Sequence, residues 1–185
     1  MSDKDTIEES PKEEVKIFNK RNKFSYKDLK NENLQNKISL VLMDIIYKNT
    51  LKPDYNIMFK KQEKSIFTSK FPPKISLGDF IRRIINYTKI CKSTLIYALI
   101  YLDRICKYKN YILTDYNTHR LFFSAILLAI KYNEDCFNSN KFYSKICGIK
   151  LKDLNSMEYN FAIDISFDFH INHIIYKRYE EKLLF

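Results

Sequence analysis

Apolar residues are sparse and without period over residues 1–33, then fall into helical spacing from Leu34 onward. Ile38, Leu42, Ile45 and Asn49 share one stripe with Val41 and Ile46 beside it, which predicts an amphipathic helix over 34–51 stopped by Pro53. Residues 53–75 hold no sustained period, and Pro72-Pro73 near their end makes a stiff extended approach to the next helix. Ser76-Leu77-Gly78-Asp79 has the form of a capping box, and Leu77, Phe80, Ile81, Ile84 and Thr88 then mark a buried stripe ending near Lys89. Ser93 is the expected cap of a helix over 94–107 that is apolar around nearly its whole girth, a pattern that demands other helices on every side and a central place. Thr114 or Asp115 would cap a third helix over 116–132, in which Leu121 to Ile130 is again almost wholly apolar. Asn138 or Ser139 opens a short helix closed by Gly148. Leu154, Met157, Phe161 and Ile165 mark a fifth over 151–165, Phe167-Asp168-Phe169 interrupts the period, and Asn172 to Leu184 reads as a last short helix.

Composition removes alternatives to an all-α domain. The 185 residues contain two glycines, Gly78 and Gly148, so no glycine-rich nucleotide loop of any familiar spacing can be written in this chain. The same scarcity, with only four prolines, weighs against tight hairpins. A formal charge of +10 would suit nucleic acid or an anionic surface. The basic excess is dispersed through residues 25–185, however, and accompanies a composition rich in Lys, Asn, Ile and Tyr, whose codons are built from A and T. Its densest stretch, Lys60, Lys61, Lys64 and Lys70, is broken by Glu63 in a segment read as irregular, and no helix carries the Arg and Lys row of a DNA-reading element.

Cys91, Cys106, Cys136 and Cys147 lack C-x-x-C spacing and stand behind an amino terminus charged from its third residue, so they read as reduced, partly buried thiols of a cytoplasmic or nuclear protein. His170 and His173 with one Cys fall short of a zinc site, and no metal or cofactor is expected. The longest apolar run, Leu121 to Ile130, is about half of the ~20 residues a membrane span needs, which predicts a soluble chain.

The strings SKFPPKISLGDFIRRIINYT (69–88), STLIYALIYLDR (93–104), LTDYNTHRLFFSAILLAIKYNED (113–135), FYSKICGIKLKDLNSMEYNF (142–161) and ISFDF (165–169) resemble, in order and spacing, the cyclin box of the phosphate-signalling cyclins, also called P-type or U-type. The resemblance covers about 100 contiguous residues. It implies a single five-helix cyclin box over 73–170, an N-terminal docking helix and linker over 34–72, a polar tail over 1–33, taken as flexible, and a short C-terminal helix over 171–185. It also implies a non-catalytic subunit that activates a cyclin-dependent protein kinase by pressing the kinase C-helix inward, so that its Glu pairs with the Lys gripping ATP phosphates.

The family's register-setting Lys and Glu fall on Lys131 and Glu158, and its apolar kinase contacts on Leu128, Tyr132, Ala162, Phe167 and Phe169. Each has a plainer alternative. Lys131 complements a helix C-terminus, Glu158 is an ordinary surface residue, and the two phenylalanines can pack on the chain's own fifth helix. The resemblance further implies a structural ion pair between Asp103 and an Arg of the first box helix, with Arg83 preferred to Arg82, whose loss would cost roughly 3–5 kcal/mol as a stranded buried charge.

The sequence departs from mitotic-type cyclins in several places. KISLGDF lacks the signature of their substrate-docking patch, no R-x-x-L destruction box occurs, and Cys91-Lys92-Ser93 replaces the common Ser-Pro. Sixteen residues lie beyond Phe169, so no second five-helix repeat is expected. Cyclin-fold transcription-initiation factors that bind DNA or polymerase form the alternative reading, but they use two boxes in tandem. A helical hydrolase or transferase would need a nucleophile, metal cluster or phosphate loop that the sequence lacks.

Overall fold

The structure is a computed structural model that describes residues 33–184. Eight helices and no strand occur among them: α1 Leu34–Thr50, α2 Tyr55–Gln62, α3 Leu77–Thr88, α4 Lys92–Lys109, α5 Thr118–Asn133, α6 Asn140–Cys147, α7 Leu151–Asp164 and α8 His173–Leu184. The expected polar tail lies outside the described residues except for Asn33, which caps α1 by accepting the Asn36 N–H at 3.1 Å.

Helix α5 lies at the centre. Every residue from Leu121 to Ile130 is buried, and α4 and α7 pack along it. The central place expected for α4 is thus shared, with α5 the more completely enclosed. Around this pair, α6 bridges α3 and α7, α8 packs on α4, and α1 lies against both α3 and α8. The buried stripe of α1 is Ile38, Leu42, Ile46 and Asn49, with Ile45 turned outward. Asn49 donates to the Leu113 carbonyl at 3.0 Å and so satisfies a buried polar group at the same time as it ties α1 to the box. Gly78 lets α3 approach α1 closely, since a Cβ there would stand 3.2 Å from the Ser39 hydroxyl oxygen.

Local capping predicts some helix ends and misses others. Ser76 caps α3 as expected, accepting the Asp79 N–H at 3.1 Å, and Gly148 closes α6 in the left-handed conformation at φ 70°. Ser93 instead lies inside α4, which begins at Lys92. Its N-terminus is capped from another helix: Glu134, at the end of α5, accepts the Cys91 N–H at 2.9 Å and the Thr94 hydroxyl. Burial works against the charged Glu134 carboxylate, but these two hydrogen bonds win and hold its pKa below the usual value. Neither Thr114 nor Asp115 is the cap residue of α5, which starts after Asn117. The Asn117 side chain is engaged elsewhere, accepting the Thr114 N–H at 2.9 Å and donating to the Ile112 carbonyl at 2.8 Å.

The segment read as irregular contains α2, which places Lys60 and Lys61 in a helical last turn. No amphipathic period marks it because tertiary contacts fix it: Phe59 packs on Tyr116 at 5.1 Å, and buried Gln62 accepts from the Ile112 N–H and the Asn117 amide, both at 3.2 Å. Phe67, beyond its end, reaches into the core and meets Tyr111 and Phe161 edge-on.

The implied Asp103–Arg83 ion pair is not formed. Arg83 is exposed on α3 and reaches the Lys145 carbonyl at 3.5 Å. Asp103 pairs with Lys107 one turn on at 2.7 Å and accepts the Tyr179 hydroxyl of α8 at 2.7 Å. It sits near the end of α4, where the helix emerges toward α8, so its carboxylate stays partly hydrated. Arg82 pairs with Asp79.

Among the described residues no three His, Cys, Asp or Glu side chains converge to hold a metal ion, and no helix is long and apolar enough to cross a membrane. Cys106 and Cys147 are half-buried, and burial pushes their thiols up to about 12 and about 11. Cys91 and Cys136 are exposed, contrary to the expectation of burial.

These contacts generate two stability tests. Asp103→Ala should cost about 1–2 kcal/mol in urea unfolding, the scale of a half-exposed pair plus one hydrogen bond, and a loss of 4 kcal/mol or more would restore a buried pair. Burial holds His119 below its ordinary value of 6.5 despite its hydrogen bond to the Ile75 carbonyl, and its Nδ1 is buried without a partner. The unfolded chain therefore binds this proton more readily, so the stability contribution of His119 is complete above pH 6.5 and is lost as pH falls toward the depressed folded value. Urea midpoints should decline below pH 6.5, and His119→Gln should flatten the decline; equal slopes in the two proteins would refute the assignment.

Candidate functional site

Lys131, in the last turn of α5, and Glu158, in the middle of α7, meet at 2.5 Å between Nζ and Oε1. Their helices pack together, so a charge leaving the apolar run of α5 emerges directly beside a carboxylate on α7. The side chains remain 29% and 17% exposed, enough for each to be reached from solvent. Leu128, one turn before Tyr132, and Ala162, one turn beyond Glu158, are buried close to the surface. They form the floor of the face rather than its outer contact.

The aromatic part of the face is built on α4. Phe169 lies tilted against Tyr132 at 5.9 Å and meets Tyr101 edge-on at 5.9 Å, and Phe167 meets Phe169 edge-on at 6.2 Å. Tyr97 extends the cluster toward Tyr132 on one side and Tyr176 of α8 on the other. The ring partners of Phe169 thus lie on α4 and α5, while Phe167 is tied to the end of α7 through the Ala162 carbonyl. Phe167 is 59% exposed and Tyr132 is 50% exposed. Tyr159 and Ile163, exposed on the adjoining stripe of α7, enlarge the apolar surface beyond the residues read from the sequence.

Phe167 points outward because the backbone makes an uncommon turn. Ser166 and Phe167 both have left-handed φ, at 55° and 54°, a conformation that costs a non-glycine residue about 1–2 kcal/mol. The Phe167 N–H donates back to the Ala162 carbonyl at 2.8 Å and the Ser166 N–H to the Ile163 carbonyl at 2.7 Å, so the turn also satisfies the last carbonyls of α7. Arg104 then clamps the segment from α4. Its guanidinium donates to the Asp168 carbonyl and, at 2.8 Å, to the His170 carbonyl, and lies 3.3 Å from the Asp168 carboxylate. The Tyr101 hydroxyl donates to the Phe169 carbonyl at 2.8 Å; burial drives its pKa well up, which keeps the phenol protonated and a donor.

The structure thus joins Lys131 to Glu158 across α5 and α7 and gathers Tyr132, Phe167 and Phe169 in one ring cluster, with Leu128 and Ala162 buried on α5 and α7. It leaves Asp103 and Arg83 apart. Arg104 and Tyr101 are the residues that sequence reasoning missed. An Arg with a Tyr one turn before it on an otherwise buried helix was the available signal, since both polar ends must find partners.

A model of the Cyclin family matches residues 6–169. The chain belongs to the cyclin family. It is 31% identical over 121 residues to Cyclin-U4-3 of Arabidopsis thaliana, covering 65% of this chain and 55% of the relative. Similarity to Cyclin-P4-1 of Oryza sativa subsp. japonica is 30% over 116 residues, 62% of this chain and 55% of the relative. Cyclin-U4-1 of Arabidopsis thaliana is 24% identical over 147 residues, 78% of this chain and 73% of the relative. The chain spans about half the length of the first of these curated relatives. The all-helical architecture is that of a cyclin box, and the U-type and P-type relatives agree with the resemblance read from the sequence.

Replacing Arg104 with Met should lower stability by about 1–2 kcal/mol, the scale of hydrogen bonds to one half-buried and one exposed carbonyl, and should speed backbone amide exchange over residues 166–170. Unchanged exchange in that segment would show that Arg104 does not hold it.

Proposed function

We propose that this cyclin binds and activates a cyclin-dependent serine/threonine kinase by docking the α5 and α7 face on the kinase C-helix, and that it contributes no catalytic group. The observation that carries the reading is the Lys131–Glu158 pair joining α5 to α7, followed on α5 by Tyr132, an exposed member of the aromatic cluster. An ammonium has three N–H donors and a carboxylate about four lone-pair sites, so the mutual contact leaves each side chain free valences for partner carbonyls and N–H groups. The two charges also reach the interface already neutralised, which limits the desolvation penalty when a partner covers them. Tyr132 and Phe167 supply rigid aromatic area of the kind that dominates binding energy, over the floor of Leu128 and Ala162.

An interface on the order of 2,000 Å² is the expected scale. The rigidity of α4 and α5 suits the task, because pushing a kinase helix inward requires a surface that does not itself yield. With a kinase as the partner, the protein would act in the cytoplasm, the nucleus or both.

The double reversal Lys131→Glu with Glu158→Lys preserves the ion pair with its sense exchanged. It should leave helical content and melting intact and abolish co-purification with the kinase, because every partner donor and acceptor then meets the wrong charge. Retained kinase binding in the folded double variant would remove this pair from the docking site.

A further inference from the structure

Glu158 is held from a second direction, by a residue with no other evident task. Asn140 is the first residue of α6, and its Nδ2 donates to Glu158 Oε2 at 2.6 Å and to Asn155 Oδ1 at 2.8 Å. Its own Oδ1 is buried and has no hydrogen-bond partner. The amide cannot turn round to improve matters, since that would place its oxygen against the Glu158 carboxylate and the Asn155 oxygen. Both N–H groups are thus committed to α7, and the carbonyl is left unsatisfied as the consequence.

We propose that Asn140 is a positioning residue for the docking face, fixing the direction in which Glu158 presents its carboxylate to the partner; this rests on the reading of Glu158 as a kinase contact. Lys131 alone does not fix that direction. Both partners of the ion pair have long, flexible side chains and can stay in contact through several rotamers. Asn140 has a short side chain rooted in a different helix, so its contact removes that freedom. One carboxylate then ties α5, α6 and α7 together, with Oε1 on Lys131 and Oε2 on Asn140. The lone pairs left for a partner point in one set of directions, and less side-chain entropy is lost on binding.

A double-mutant cycle tests this with Asn140→Ala, Glu158→Ala and their combination, titrated against a purified cyclin-dependent kinase that binds the wild-type chain. Asn140→Ala should weaken binding about tenfold in the wild-type background and less than about twofold when Glu158 is already Ala. Asn140→Asp guards against a folding defect. It keeps the volume and places an acid in the first turn of α6, where the helix dipole favours it, yet sets an acceptor against Glu158. It should keep the wild-type helical content, melt somewhat lower because two carboxylates then face each other, and bind the kinase more weakly than Asn140→Ala. Side-chain couplings of Glu158 in the free protein, measured by NMR, should change from a single rotamer to an average in Asn140→Ala. Additive losses in the cycle, or a Glu158 that keeps one rotamer without Asn140, would overturn the proposal. Full kinase affinity in Glu158→Ala would instead overturn the docking role of Glu158, and with it the purpose but not the fact of the positioning.

Discussion

Helix α5 has no side it can show to water from Leu121 to Ile130, and the arrangement of the other helices is set by the need to cover it. Each large apolar side chain so enclosed contributes roughly 1.5–3 kcal/mol relative to exposure, far more than any surface ion pair in this molecule. Helices α4 and α7 lie directly on it, and α3, α6, α8 and α1 are placed by what they in turn must cover. The enclosure ends at Lys131, where the first charge on α5 after the apolar run must find hydration or a counter-charge. The candidate site therefore lies where the central helix comes out of the core.

Its second half depends on α4. Two consecutive left-handed residues, Ser166 and Phe167, would not persist in an unsupported chain. Arg104 and Tyr101 hold the carbonyls of Asp168, Phe169 and His170, so the strain of the turn is sustained by donors on a helix whose own position is fixed by core packing. The aromatic part of the face thus rests on α4 and α5, and the charged part spans α5 and α7. A surface built that way suits the role of a regulatory subunit that imposes its shape on a partner, which is the reading that family membership and geometry together support.

Much of the fold was legible because its signals are local. The capping of α3 by Ser76 and the closure of α6 by Gly148 each depend on residues within one turn, and the apolar girth of α4 and α5 announces burial on every side. The misses share a different cause. Glu134 caps α4 from 43 residues away, which displaces Ser93 from the role that its position suggested. Helix α2 is specified by Phe59 and Gln62 against residues near 112–117, so a search for period finds nothing there. The Asp103–Arg83 pairing failed because it assumed that a polar residue on a buried helix must itself be buried, whereas Asp103 stands where α4 emerges.

The sequence by itself determined the helical class, the two enclosed helices, the positions of Lys131 and Glu158 within recognisable strings, and the family. These depend on side-chain periodicity and on residue order, both of which are present in the chain before it folds. Only the tertiary structure decided which polar groups meet. It set Asn140 and Lys131 on one carboxylate, gave Asp103 to Lys107 and Tyr179, and brought Phe169 against Tyr101 of α4 and Tyr132 of α5. A hydrogen bond depends on separations of a few tenths of an ångström, and those are fixed by how the helices settle against α5 rather than by the spacing of residues along the chain.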